Sequence, residues 1–182
     1  DAHLDPSLSE GGAKPESPLC KSYCEQTMAG CSGTFAVYTS METCLAVCAN
    51  LPPGAEPPPA GHPEPCRLHA ASLASAGPSY YCPAAGPGGN GICGSNCDGL
   101  CGLASNVRKG ELDPWSSVAD CEADCGSLAD LGTFATDESL EMYEGAHVEC
   151  RLFHASAAAL DPASHCGHVG GSAPCIDMPE GT

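Results

Sequence analysis

The sequence is short of three things that most globular domains have: aromatic side chains, basic side chains and long apolar runs. Aromatic residues make up 5% of the 182 residues. Much of the apolar fraction is alanine, so the chain buries little apolar surface per residue. A core of this kind stabilises a small fold poorly, and covalent cross-links are expected to supply what packing cannot.

Basic residues are scarce, with six Lys and Arg against 23 Asp and Glu and a net charge of −17. Nucleic acids and anionic membrane surfaces bind basic side chains, so neither is expected as a partner. No apolar run approaches the roughly 20 residues of a membrane-spanning helix, and we expect no transmembrane segment. The first residues show no signal-peptide pattern, from which we expect a mature, exported form.

Cysteine is abundant, with 15 residues in the chain. Thiols at this density persist as disulfides in an oxidising compartment, whereas a cytosolic chain would need a metal for nearly all of them. We therefore expect a secreted, disulfide-bonded protein that is extracellular, on the cell surface or in the periplasm.

The cysteine spacing occurs twice. A C-x3-C pair is followed, twenty positions later, by a second C-x3-C pair, and the same steps recur further along the chain. The two sets are Cys20, Cys24, Cys44, Cys48 and Cys97, Cys101, Cys121, Cys125. The match predicts two tandem repeats, at residues 19–94 and 95–182, preceded by a flexible N-terminal arm at residues 1–18.

The duplication extends beyond these pairs. Cys66-Arg67-Leu68 is echoed by Cys150-Arg151-Leu152, and Cys82 and Cys93 correspond to Cys166 and Cys175. Cys31 has no counterpart, because Arg108 occupies its position. An odd cysteine in a secreted protein indicates a bond between repeats, a bond between chains, or a free thiol.

Cysteines at positions i and i+4 lie on one face of a helix. Two such helices packed antiparallel bring outer cysteines against outer ones and inner against inner. The predicted fold is therefore mainly α, small and disulfide-rich, each repeat being a stapled helical hairpin followed by a further short helix and a Gly/Pro loop. The predicted hairpin disulfides are Cys20–Cys48, Cys24–Cys44, Cys97–Cys125 and Cys101–Cys121.

Serine N-caps are expected to begin the second helix of each hairpin, at Ser40 and at Ser116 or Ser117. The segment from Leu51 to Pro65 holds seven prolines and is interpreted as an extended linker. Ala-rich helices are predicted at 66–76 and about 146–160, each ending at a proline.

Sequence does not determine the connectivity of the remaining cysteines. We expect Cys82–Cys93 and Cys166–Cys175 to close the Gly/Pro loops at 83–91 and 167–174. Cys31–Cys66 is then the last pair in the first repeat, and Cys150 is the unpaired candidate in the second.

Histidines in the second repeat form the densest group of potential metal ligands. They are His165 and His168, which flank Cys166 and Gly167, and His154 one helix earlier. Imidazole nitrogens and the Cys166 thiolate suit copper or zinc. The alternative is that Cys166 is oxidised and the histidines cap a helix or face solvent. Haem held by His154 or His165 stays open, although the C-x-x-C-H attachment motif is absent.

Asp1-Ala2-His3 is a second candidate metal site. A free amine, two deprotonated amides and an imidazole make a square plane that suits Cu²⁺ or Ni²⁺. This applies where Asp1 is the mature N-terminus; otherwise His3 is an incidental residue on the arm.

An acidic run marks a seven-residue insertion in the second repeat, between residues 130 and 144. Calcium would be its natural ion, but the usual calcium-loop pattern is missing and a solvated face is the alternative. Its members are Asp130, Asp137, Glu138, Glu141 and Glu144. No arrangement of nucleophile, base or metal-protease ligands is recognisable in the chain, and we expect no enzyme.

The C-x3-C … C-x3-C unit resembles the disulfide-linked hairpin of the α-hairpinins, over about 29 residues per copy. The longer pattern resembles tandem Cys-rich repeats of proteins exported by bacteria. Its segments are 93–101 (CGSNCDGLC), 150–155 (CRLFHA), Asp161-Pro162 and 165–168 (HCGH). The first resemblance implies a topology, and the second implies an exported, surface-associated chain. The first repeat departs at the histidines, since it lacks both that flank Cys166.

These observations predict a non-enzymatic extracellular structural or interaction protein, a subunit of a surface assembly or filament. Its partners would be copies of itself or other extracellular proteins, and it would need no cofactor. The alternative is a secreted protein that binds copper, zinc or haem.

Overall fold

The structure is a computed structural model that describes residues 17–51, 66–107, 115–137 and 142–176. Within these ranges the fold is all-α, which confirms the mainly α, disulfide-rich class predicted from the sequence. The helices are α1 (Pro18–Gly30), α2 (Met41–Asn50), α3 (Cys66–Leu73), α4 (Pro78–Ala85), α5 (Asn96–Val107), α6 (Val118–Cys125), α7 (Val148–Ala158) and α8 (Pro162–Val169), with 3-10 turns at Gly33–Phe35 and Ala74–Ala76. None of these helices is long and apolar enough to cross a membrane.

Serine side chains begin the second helix of each hairpin, as the sequence predicts. The Ser40 hydroxyl accepts a hydrogen bond from the Thr43 amide, 3.1 Å away. Ser117, rather than Ser116, does the same for the Asp120 amide, also at 3.1 Å. Each cap satisfies one of the amides that a helix N-terminus leaves without an intrahelical partner.

The two hairpins, α1–α2 and α5–α6, carry the same disulfide ladder. In each hairpin the outer bond joins cysteines 28 positions apart and the inner bond joins cysteines 20 apart. These are the four hairpin pairs that the i, i+4 argument predicts: Cys20–Cys48, Cys24–Cys44, Cys97–Cys125 and Cys101–Cys121.

The structure corrects the other predicted disulfides, Cys31–Cys66, Cys82–Cys93 and Cys166–Cys175. The observed bonds are Cys31–Cys82, Cys66–Cys93 and Cys150–Cys175. The error has a local cause. The first residues of the loops predicted at 83–91 and 167–174 are helical and belong to α4 and α8. Pro78 and Pro162 each stand in the first turn of a helix, where a proline loses no intrahelical hydrogen bond. Cys82 therefore lies on a helix that packs against α1, and bonds across the core rather than across a loop.

The predicted unpaired cysteine is also wrong. Cys150 is bonded to Cys175, and the cysteine outside the seven disulfides is Cys166, a buried thiol. Cys166 corresponds to Cys82, whose partner Cys31 is the cysteine that the second half lacks. Once the Cys31–Cys82 pairing is known, the odd cysteine follows from the sequence alignment of the two halves.

One hydrophobic core runs through both halves of the chain. It contains Val47 and Ala74 from the first half together with Leu100, Leu103 and Leu152 from the second. Two backbone carbonyls of the first half also accept hydrogen bonds from the second: Ala36 O from the Thr136 amide and Asn50 O from the Asn106 side chain, both at 2.6 Å. The division into repeats at residues 94 and 95 stays a prediction, and the two halves pack as neighbours in one core.

Several sequence-based interpretations lie outside the described residues. They concern the N-terminal arm up to residue 16, the proline-rich linker at 52–65 and the position of Arg108. The candidate ligands Asp1 and His3 fall there, as do Glu138 and Glu141 of the acidic run.

Candidate functional site: a histidine cluster between two helices

Helices α7 and α8 pack against each other and bring three predicted ligands together. His154 lies on α7, while His165 and His168 lie three positions apart on α8 and so share one helix face. Asp161 caps α8, accepting a hydrogen bond from the Ser164 amide at 3.2 Å, and Pro162 takes the first helical position. The cap fixes where α8 begins, and thereby which of its faces meets α7.

The Nδ1 atoms of His165 and His168 both approach the Nδ1 atom of His154. The Nδ1 atom of His154 is 3.0 Å from that of His165 and 3.2 Å from that of His168. The rings of His154 and His165 stack, with centroids 5.2 Å apart, and the ring of His168 stands edge-on to both. Each of the three offers a nitrogen within 4.8 Å of the other two.

A backbone carbonyl fixes the orientation of the innermost ring. The Nε2 atom of His154 is 3.3 Å from the carbonyl oxygen of Tyr143. A carbonyl only accepts, so Nε2 carries the proton and donates it, and Nδ1 of His154 is left with a lone pair. The Tyr143 and Phe153 rings pack against each other beside this contact.

Burial disfavours the charged form of two of the three rings. His154 is 6% exposed, and its burial, reinforced by the nearby His168, lowers its pKa to about 4. Burial also lowers the pKa of His165, again with a contribution from His168, while the Asp161 carboxylate opposes the shift. At neutral pH these two rings are therefore neutral imidazoles with lone pairs available.

The neighbouring sulfurs play a different part from the one the sequence indicates. Cys166 lies between the two α8 histidines in sequence but is fully buried. Cys150 and Cys175 each have a sulfur within 4.8 Å of a His154 nitrogen. Those two sulfurs are joined at 1.98 Å, and a disulfide offers no thiolate to an ion.

A second polar cluster, at the start of α7, was not found from the sequence. Glu149 is fully buried, and its Oε1 accepts hydrogen bonds from the Gly132 amide at 3.1 Å and from Asn96 Nδ2 at 3.4 Å. Asn96 also donates to Asp130 at 2.9 Å. Glu149 Oε2 accepts no hydrogen bond. It lies 3.2 Å from Nδ1 of His147, which itself accepts a hydrogen bond from the Cys150 amide. Burial raises the Glu149 pKa. Asp130, a member of the acidic run, therefore contacts buried polar groups.

The structural roles of Arg67 and Arg151 were not predicted from the sequence, although the Cys-Arg-Leu motif that contains them occurs in both halves. Arg67 donates to the carbonyls of Gly86 and Pro87, both at 2.9 Å. Arg151 instead forms an ion pair with Asp124 on α6, at 2.6 Å. The repeated Cys-Arg-Leu motif was the available signal for these roles, because a basic residue at a core-facing helix position needs hydrogen-bond acceptors nearby.

A family model matches part of the chain. The model of the BfoA family C-terminal domain matches residues 10–98, a little under half of the chain. No curated protein and no solved structure matches. The matched part contains the first hairpin and its disulfides, and it ends before the histidine cluster. Over residues 10–98 the chain is thus similar to the BfoA family C-terminal domain, and its disulfides and helical hairpins fit a cysteine-rich family.

Proposed function

We propose that this chain is an exported, non-enzymatic structural protein, a unit of an extracellular or cell-surface assembly made of copies of itself or of other extracellular proteins. The observation that carries the proposal is the distribution of the disulfides. Each helix from α1 to α7 contains at least one disulfide cysteine, so nearly every element is covalently tied to another.

Such cross-linking favours a rigid building unit over an enzyme that opens and closes on a substrate. Disulfides mainly restrict the unfolded chain, and they allow a small core to persist outside the cell. A shallow apolar depression between the halves supports the same interpretation. It is lined by Val37, Tyr38, Thr136 and Phe153 among others, and no carboxylate, imidazole or thiol belongs to its lining.

The proposal includes an origin by duplication. The hairpins have identical disulfide separations, and the bonds Cys66–Cys93 and Cys150–Cys175 span 27 and 25 positions. The family match covers one of the two halves. A duplicated, covalently closed unit suits a protein whose role is to present a fixed shape repeatedly.

Sedimentation velocity over a wide concentration range, with negative-stain imaging of the same samples, tests the assembly. The chain should be produced in an oxidising compartment so that its disulfides form. We expect species larger than the monomer to grow with concentration, and reduced, alkylated protein serves as the unfolded control. A dispersed monomer at every concentration, without added partner, would remove self-assembly from the proposal.

A further inference from the structure

We propose that His154, His165 and His168 form a binding site for one tetrahedrally coordinated transition-metal ion, with zinc as the ion that the ligands and geometry suit best. The fourth coordination position would be left to water or to a group from another molecule. This inference goes beyond the structural role and does not depend on it.

The spacing of the nitrogens is the first argument. Zinc binds imidazole nitrogen at about 2.0–2.1 Å, and two ligands of a regular tetrahedron are then about 3.3–3.4 Å apart. The Nδ1 separations of 3.0 and 3.2 Å from His154 to its two neighbours lie within a few tenths of an ångström of that edge. The nitrogens of His165 and His168 lie within 4.8 Å of each other, so side-chain adjustments of about an ångström would place all three around one ion.

The second argument is the crowding of two ring nitrogens around the single lone pair of His154 Nδ1. His154 Nδ1 has one lone pair, yet two ring nitrogens approach it within hydrogen-bond distance. A single lone pair serves one hydrogen bond well, so the second close approach is poorly compensated. A cation at the point of convergence would use lone pairs from all three rings.

The surroundings of His154 match those of a metal ligand. Ligating histidines usually donate their second ring N–H to a carbonyl or carboxylate, which fixes the tautomer and the ring orientation. In this structure Nε2 of His154 donates such a hydrogen bond to the Tyr143 carbonyl, 3.3 Å away. His165 and His168 are only partly buried, so the cluster is open to solvent on the α8 side.

The first half of the chain supplies an internal comparison. Ala70, Tyr81 and Ala84 occupy the positions equivalent to His154, His165 and His168, and α3 packs against α4 as α7 packs against α8. Ala70 and Ala84 are buried in the core. The same helix pair therefore forms without histidines, which means that packing alone does not require them.

This comparison also provides a variant that should keep its fold. His154→Ala, His165→Tyr and His168→Ala together give the second half the residues that the first half has. The background for all measurements is His3→Ala, which removes the Asp1-Ala2-His3 motif as a competing copper or nickel site. His69→Ala, in the first half, is the matched control because it removes a histidine outside the cluster.

The test is calorimetric titration of the chelator-treated, oxidised full chain with Zn²⁺, together with the visible spectrum of the Co²⁺-loaded protein. We expect one ion per chain and a tetrahedral Co²⁺ spectrum in the background and in the His69→Ala control. The triple variant should lose at least about 100-fold in affinity, the upper end of what losing a single outer-shell partner costs. Far-UV circular dichroism checks that its helices are retained.

Two results would overturn the proposal. One is no zinc binding by the background chain, and the other is equal zinc affinity in the background and the triple variant. In the first case, a Soret band on adding haemin would assign the histidines to haem. If the triple variant unfolds, paramagnetically shifted ring signals of the Co²⁺-loaded background chain decide: signals from three histidines support the site, and fewer contradict it.

Discussion

At the scale of single residues, Glu149 is the most unusual side chain in the described part of the chain. It is a fully buried carboxyl whose Oε2 lies 3.2 Å from Nδ1 of His147. Burial, helped by the neighbouring Asp130, raises its pKa above the ordinary value of 4.5. Partial burial opposes ionisation of Asp130, but hydrogen bonds from Glu149, Asn96 and Gly132 outweigh it and lower that pKa. The environment thus favours the ionised form of Asp130 and the protonated form of Glu149.

We expect Glu149→Gln to stabilise the protein at neutral pH. The native state holds the Glu149 proton more tightly than the unfolded chain does, so the free energy of unfolding falls as pH rises from 4.5 through the folded-state pKa. Glutamine is neutral at every pH and avoids that loss. The expected gain at pH 7 is on the order of 1 kcal/mol, and it should vanish below about pH 4.5.

Denaturant unfolding measured from pH 4 to pH 8 checks this. Glu122→Gln, at an exposed position on α6, is the control and should change little at any pH. A Glu149→Gln protein that is less stable than the parent at pH 7 would show that the ionised carboxylate is required.

At the scale of helices, the Cys31–Cys82 disulfide is the most informative, because only the first half of the chain has it. Cys31–Cys82 joins the end of α1 to α4 across 51 positions, and the second half has no equivalent. The second half nevertheless places α8 against α7 as the first places α4 against α3. The packing of α4 on α3 therefore has a counterpart that forms without such a bond, and we expect Cys31–Cys82 to add stability rather than to set this packing.

Replacing Cys31 and Cys82 together by alanine should lower the free energy of unfolding by about 4 kcal/mol, the chain-entropy value for a loop of about 50 residues. The helical content should stay unchanged. Thermal and denaturant unfolding provide the measurement, and Cys166→Ala is the control for losing a buried sulfur without breaking a disulfide. A double variant that loses its helices would show instead that this bond sets the fold.

The helices also show what could be predicted from sequence. The hairpins and their four disulfides follow from i, i+4 geometry within each helix, so spacing alone was sufficient. Cys31–Cys82 depends on contacts between distant segments, which spacing does not encode, and α4 was missed because Pro78 was interpreted only as a helix end.

The same limit applies to the sites. His165 and His168 could be paired from their spacing, but their approach to His154 depends on how α8 packs on α7. Glu149, Asn96 and Asp130 come from three separate segments. No local pattern links them, and only the tertiary structure brings them together.

At the scale of the whole molecule, the continuous core predicts cooperative unfolding. Leu100, Leu103 and Leu152 pack in one cluster with Val47 and Ala74 of the other half. Neither half can lose its packing without exposing the other. We expect a single calorimetric transition whose van't Hoff and calorimetric enthalpies agree, despite the repeat pattern in the sequence. Two resolved transitions would indicate halves that fold independently.

The pattern of cross-links gives a second prediction for the whole chain. Intact mass after alkylation without reduction should show no label under native conditions and one label in denaturant, because Cys166 is buried. Peptide mapping of the non-reduced protein should identify Cys31–Cys82, Cys66–Cys93 and Cys150–Cys175. Recovery of Cys82–Cys93 instead would contradict the structure.

Among the described helices, α8 contains no disulfide cysteine, and it is also the helix that carries His165 and His168. The Cys150–Cys175 disulfide joins the chain before α8 to the chain after it. This bond limits how far α8 can move away from α7, but it does not prevent α8 from opening. Elements with the fewest constraints open first, at a cost below that of global unfolding. Amide hydrogen exchange should therefore be fastest in α8 among the helices of the second half, and an ion held there could enter and leave while the rest of the protein stays folded.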